Sequence, residues 1–116
     1  MKTPSTDKSV VRSLAALAQE TRLAIYRLLV QQGPQGMSVG MIAARLDLAN
    51  ATLSFHLKEL ANAELIAARQ EGRFIYYSAN YPAMNGLVDY LTENCCKGGV
   101  CDVACAPLVK RKRRVA

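Results

Sequence analysis

At 116 residues the chain is long enough for one domain with a modest core, and half of it (51%) is hydrophobic. No apolar run approaches the roughly 18 residues of a membrane span, and the opening MKTPSTDKSVV lacks the apolar centre of a secretory signal, so a cytoplasmic protein is expected. The formal net charge is +6, but KRKRR at 110–114 supplies five of the fifteen basic residues; without 106–116, ten basic residues face nine acidic ones, leaving +1.

The body of the chain is therefore nearly neutral, and attraction to phosphate must come from a local patch. Residues 1–8 are polar with an early Pro4 and are expected to be flexible. From Ser9 to Ala18, the spacing of Val10, Val11, Leu14 and Leu17 predicts an amphipathic first helix with a face for a partner chain. In ETRLAIYRLLVQQ, Ile25, Leu28, Leu29 and Gln32 carry the helical period, Thr21 stands as a cap or first-turn residue, and Gly33-Pro34 ends the helix. Ser38 is the N-cap of a short third helix whose core face is Met41, Ile42 and Leu46.

Asp47-Leu48-Ala49 is short enough to be only the turn between that helix and the next. In LDLANATLSFHLKELANA, Leu53, Leu57 and Leu60 fall at i, i+4 and i+7 and make one apolar face. Asn50, Thr52, Ser54, Phe55 and Lys58 point elsewhere, which leaves a polar face available for contact. Behind it, Ile66–Gln70 and Phe74–Ser78 predict two strands around Glu71-Gly72, with Arg69 and Arg73 flanking the tip. The alternation in this hairpin is imperfect, so both faces are expected to be partly buried. Tyr81-Pro82 restarts a helix, with Met84, Leu87, Val88 and Leu91 as its stripe.

The expected fold is mainly α with a β-hairpin wing: a winged helix-turn-helix in the order helix, helix, helix, helix, strand, strand, helix. Residues 9–94 form the DNA-binding and dimerisation domain, 95–105 a cysteine-rich segment and 106–116 a basic, disordered tail able to add non-specific DNA affinity. Asn50, Thr52 and Ser54 are candidates for base edges or phosphates, Phe55 for a thymine methyl and Lys58 for phosphate. His56 lies nearer the apolar edge of its helix, where packing or phosphate contact competes with base reading. Arg73 is the candidate for the minor groove or its backbone, and Arg69 a solvated strand residue. An enzyme is not expected: there is no ordered Ser/His/Asp set and no phosphate-cradling glycine loop, and the one histidine is in the recognition helix.

LAQETRLAIYRLL resembles the first signature of the ArsR/SmtB family of metal-sensing winged-helix repressors, ATLSFHLKELANAELI its recognition helix and RQEGRFIYYS its wing. The resemblance covers roughly residues 10–93. It implies a homodimer whose seam is the first and last helices, and repression through double-stranded DNA carrying an imperfect palindrome until an inducer binds. The family's Cys-Val-Cys arsenic site has no counterpart in MSVGMIAARL, and its zinc site across the last helices would find Asp89 and Glu93 but no histidine. Ala49 and Ala51 stand where the family usually has polar residues, which shifts specificity toward DNA shape. Cys95, Cys96 and Cys101 are similar to an arsenite-responsive branch with an adjacent cysteine pair at the end of the last helix and a third cysteine shortly after.

All four cysteines lie within Cys95–Cys105. In a chain without an export signal, such a cluster points to a metal or metalloid site rather than a disulfide framework. Trivalent arsenic or antimony, As(III) or Sb(III), is thiophilic and takes three sulfurs; Gly98-Gly99 lets the chain turn back toward the pair. By resemblance the third ligand is Cys101, with Cys105 the alternative. Lys97 would favour thiolate formation. Open beside the metalloid reading are a cadmium- or lead-responsive repressor, a zinc-responsive one, redox sensing, and a metalloid-sequestering protein that binds no DNA. Structural zinc favours a Cys-x2–4-Cys pair on each side, which the adjacent Cys95-Cys96 is not, although Cys101-x3-Cys105 has such spacing.

Overall fold

The structure is a computed structural model and describes residues 7–98. Expectations for residues 1–6, for Cys101 and Cys105, and for the tail 106–116 lie outside the described residues.

The chain opens with α1 (Asp7–Leu17), which starts before the expected Ser9 because Asp7 sits in the first turn, where a carboxylate meets the positive end of the helix. In α2 (Glu20–Gln32) the cap is Gln19, whose side-chain oxygen accepts the Arg22 N–H at 2.9 Å; Thr21 is a first-turn residue. The chain then passes Gly36 into a short strand, β1 (Met37–Ser38). One buried methionine between a glycine and a cap carries no periodic signal, so nothing in the local pattern marks this strand. Ser38 also caps α3 (Val39–Leu46), accepting the Met41 N–H at 3.2 Å.

Met41 itself corrects an expectation. It is 54% exposed, because the stripe α3 turns inward is Val39, Ile42, Ala43 and Leu46, the i, i+3, i+4, i+7 set that Met41 falls beside. Asp47 adopts a left-handed conformation (φ 55) and turns the chain into α4 (Asn50–Asn62). A second left-handed residue, Glu64 (φ 63), ends α4 and delivers the fully buried Leu65 to the hairpin.

The hairpin is β2 (Ile66–Glu71) and β3 (Phe74–Ala79), and with β1 it makes a three-stranded antiparallel sheet ordered β1-β3-β2. Glu71 pairs with Phe74, so the two-residue loop is Gly72-Arg73, one position later than expected. Gly72 takes φ 64 at the first loop position, as a primed turn requires. Only the base of the hairpin is buried, through Ile66 and Ala79; Phe74 and Ile75, which lie past the helical layer, are exposed.

α5 (Tyr81–Thr92) is capped by Asn80, which accepts the Ala83 N–H at 3.3 Å and donates to Glu64 O at 2.8 Å, tying the helix start to the end of α4. The core is Ile25, Leu29, Ile42, Leu53, Leu57, Leu60 and Leu65, with Tyr26, Met37, Ile66 and Ala79 around it. Helices α2, α3 and α4 thus surround one apolar centre, the sheet covers one side, and α1 packs against α2, α4 and α5. A 3-10 turn, Cys95–Gly98, follows α5.

Candidate nucleic-acid interface and thiol pair

The inner side of α4 is Leu53, His56, Leu57 and Leu60, all buried, and this fixes which residues face out. Asn50, Thr52, Ser54, Phe55 and Lys58 are all exposed, Phe55 at 57%. Phe55 is the one large apolar side chain among these outward residues of α4. Ala49 stands at the α4 cap and makes no side-chain hydrogen bond to the first turn. His56 stands apart from the other candidates. It is 9% exposed, turned into the protein, with Nδ1 3.3 Å from the Arg22 guanidinium, and the Phe55 ring meets it edge-on.

At the wing, Arg73 is exposed in the turn beside the exposed Phe74. Arg69 is engaged rather than simply solvated. Its Nε donates to Glu71 Oε2 at 2.8 Å, its Nη2 to Gln35 O at 3.1 Å, and the guanidinium lies 5.2 Å from the Tyr76 ring centre. It braces the wing across β3 to the loop before β1, and its charge is partly offset by Glu71.

In the turn after α5, Cys95 and Cys96 stand with their sulfurs 3.7 Å apart. The Cys95 thiol is pushed up from its ordinary range, first by the hydrogen bond with Cys96, then by partial desolvation and by the neighbouring sulfur's charge. That is opposite to the effect expected of Lys97. The 3.7 Å separation is that of two sulfurs in weak hydrogen-bond contact, with either thiol able to donate. Among the described residues no group of three Cys, His, Asp or Glu side chains is placed to hold an ion.

The first and last helices leave apolar residues uncovered: Val11 and Leu14 on α1, Val88 and Leu91 on α5. The two helices are joined at one end by a hydrogen bond from the Tyr90 hydroxyl to Asp7 Oδ1. Sequence reasoning does not find Arg22, Gln35 or the Tyr90–Asp7 contact, because each partner is distant in the chain and no local pattern joins them.

A helix-turn-helix domain model matches residues 17–69, from the last residue of α1 into β2. The arsenical resistance operon repressor of Bacillus subtilis is 36% identical over 81 residues, covering 70% of this chain and 73% of that one. The chain belongs to the ArsR family of transcriptional regulators. Another relative, the nodulation protein NolR of Rhizobium meliloti, is 32% identical over 80 residues, 69% of this chain and 63% of its own, so the chain spans less than two thirds of that protein. Among solved structures, an ArsR-like transcriptional regulator from Rhodococcus matches with a TM-score of 0.69 at 26% identity, covering 78% of this chain and 82% of that one. A homodimeric winged helix-turn-helix DNA-binding domain from Mycobacterium bovis matches at 0.60 and 28%, covering 82% and 94%. The expected winged-helix fold is borne out, and these ArsR-family relatives are regulators of transcription rather than enzymes. Among the described residues no helix is long and apolar enough to cross a membrane.

Proposed function

We propose that this ArsR-family chain is a homodimeric transcriptional repressor that leaves its operator when As(III) or Sb(III) is captured by Cys95, Cys96 and Cys101. The observation that carries the reading is the vicinal thiol pair, 3.7 Å apart at the end of α5. The likeness to a relative named for arsenical resistance supports it. When bound, a trivalent metalloid supplies three bonds to soft sulfur. Cys95 and Cys96 provide two of the ligands, and Cys101, by resemblance, the third, with Cys105 as its alternative.

The outer face of α4 enters the major groove. Asn50, Thr52 and Ser54 meet base edges or phosphates, Phe55 a thymine methyl and Lys58 a phosphate, while Arg73 reaches the minor groove from the wing. His56 supports this face from behind. Val11, Leu14, Val88 and Leu91 meet a second copy, which sets two recognition helices about 34 Å apart over the halves of an imperfect palindrome. Deprotonation of Cys95 and Cys96 accompanies capture, and the altered turn bears on α5 and, through Tyr90 and Asp7, on α1. Coupling is reciprocal: whatever factor arsenite takes from DNA affinity, DNA takes from arsenite affinity.

The test is fluorescence anisotropy of a labelled duplex, selected by the wild-type chain from a randomised pool, titrated in parallel with arsenite, antimonite, cadmium and zinc. Arsenite or antimonite should release wild-type protein, and Cys95→Ser, Cys96→Ser and Cys101→Ser should bind the duplex normally but fail to release it. Cys105→Ser should respond as wild type does. Release by zinc or cadmium alone would move the chain to another branch of the family, and no rise in anisotropy with any duplex of the pool would favour a sequestering protein.

A further inference from the structure

We infer that Arg22 and His56 form a clamp that fixes the rotation of the recognition helix α4, making both of them positioning residues for DNA reading. The inference rests on the DNA-binding reading above but not on the identity of the inducer. Its origin is His56, the buried polar side chain on the inner face of α4. Arginine carries only N–H donors, so in the contact between Arg22 Nη1 and His56 Nδ1 at 3.3 Å the imidazole nitrogen is the acceptor and the ring proton sits on Nε2. The same guanidinium donates from Nε to Ala16 O at 2.6 Å, a carbonyl in the last turn of α1 with no helical successor to serve it. Arg22 is itself set in place by Gln19, which takes its backbone N–H. One planar fork therefore joins the end of α1, the start of α2 and the inner face of α4.

The rest of the α4 underside is Leu53, Leu57 and Leu60. Apolar packing resists separation but is not directional, and it tolerates small rotations of a helix about its axis far better than a hydrogen bond does. His56 supplies the direction. It lies next to Phe55 and close to Ser54 and Lys58 in sequence, so its angle is theirs. Side-chain tips lie about 5–6 Å from a helix axis, so a rotation of about 20° carries them about 2 Å. Hydrogen bonds to base edges tolerate only about 0.5 Å. Loss of the clamp should thus erode sequence discrimination while leaving charge attraction to phosphate in place.

The experiment compares affinity for the duplex selected by wild type with affinity for a scrambled duplex, at a temperature where thermal melts show every variant folded. His56→Leu keeps bulk and removes the acceptor; Arg22→Met keeps the stem and removes the donors. Each should lower the selected-to-scrambled ratio about tenfold, and the double variant no further, because both remove one interaction. His56→Asn, which retains an acceptor near the Nδ1 position, should keep the ratio within about threefold. Scrambled-duplex affinity should hold for the His56 variants. A merely structural role would lower melting temperatures and leave the ratio alone. If His56→Leu fails to fold, Arg22→Lys carries the test, since it retains charge but cannot fork to both acceptors. An unchanged ratio in the variants, equal loss in His56→Asn, or losses that multiply in the double variant would overturn the clamp while the regulator reading stands. A wild-type chain that selects no duplex would instead remove the regulator reading.

Discussion

Replacing Gly36 with alanine tests whether the short strand β1 fastens the wing to the reading head. Gly36 has φ 76, and a Cβ built on it would lie 2.4 Å from the backbone oxygen of Tyr77, 3.0 Å from its carbonyl carbon and 3.3 Å from Ser78 Cβ. The obstruction is backbone, so no rotamer change relieves it. A left-handed conformation costs a non-glycine residue about 1–2 kcal/mol. Relieving the clash means opening the β1–β3 pair, which gives up backbone hydrogen bonds of about 1 kcal/mol each and part of the burial of Met37, itself about 1.5–3 kcal/mol if fully exposed. The total is about 3–5 kcal/mol. Gly72→Ala is the control: φ is 64, yet nothing lies within 4 Å of the added carbon, so only the conformational term of about 1–2 kcal/mol remains. At about 4–8 °C per kcal/mol for a domain of this size, Gly36→Ala should melt well over 10 °C below wild type and clearly below Gly72→Ala in circular dichroism. Equal melting temperatures for the two variants would show that β1 does not hold the wing.

Lys58→Ala combined with Arg73→Ala should lower the slope of log affinity against log salt by about 1 for each phosphate no longer neutralised, about 3–4 for a dimer, with arsenite stoichiometry unchanged; an unaltered slope would remove both from the interface. Tyr26 offers a pH test, because its hydroxyl is buried without a hydrogen-bond partner among the described residues, and burial, with Tyr81 adding to it, raises its pKa from 10.0 to about 12. The folded state then holds its proton where the unfolded chain has lost it, so stability is complete below pH 10 and falls between pH 10 and about 12. In Tyr26→Phe that fall should shrink in urea titrations, and neutral-pH stability should stay level or rise by up to about 1 kcal/mol; a large loss would mean the hydroxyl has a partner. Truncation after Cys105 should flatten the salt slope and spare sequence preference, and a truncated chain that loses preference would give the tail a specific role.

The fold was legible wherever local periodicity and burial coincide. Leu53, Leu57 and Leu60 announce the inner face of α4, Ser38 announces the start of α3, and Gly72 announces the wing turn. Misses occur where a choice is made by partners far along the chain. Gln19, which no local pattern singles out, caps α2 and leaves Thr21 in the first turn; Met41 loses its expected core place to Val39 and Ala43; β1 exists because β3 has a free edge for it. For the candidate site, sequence marks the outward residues of α4 by subtraction from the apolar face. It cannot mark Arg22, whose guanidinium meets His56 34 positions away.

Two of the ten basic residues in the body of the chain are held by contacts within the fold. Arg69 is tied to Glu71 and Gln35, and Arg22 to Ala16 and His56, so two arginines that composition would assign to phosphate are bound within the fold. A body with ten basic residues against nine acidic ones has weak long-range attraction to any duplex, and its preference among duplexes must come from the geometry of α4 and the wing. That geometry runs through α1, linked to α5 by Asp7 and Tyr90 and to α4 by Ala16 and Arg22. A ligand at the end of α5 can shift DNA affinity only by its differential affinity for two arrangements of these parts. If the two contacts on α1 are what distinguish those arrangements, breaking the Tyr90–Asp7 link with Tyr90→Phe should weaken arsenite-driven release while leaving operator affinity and thiol capture as they were.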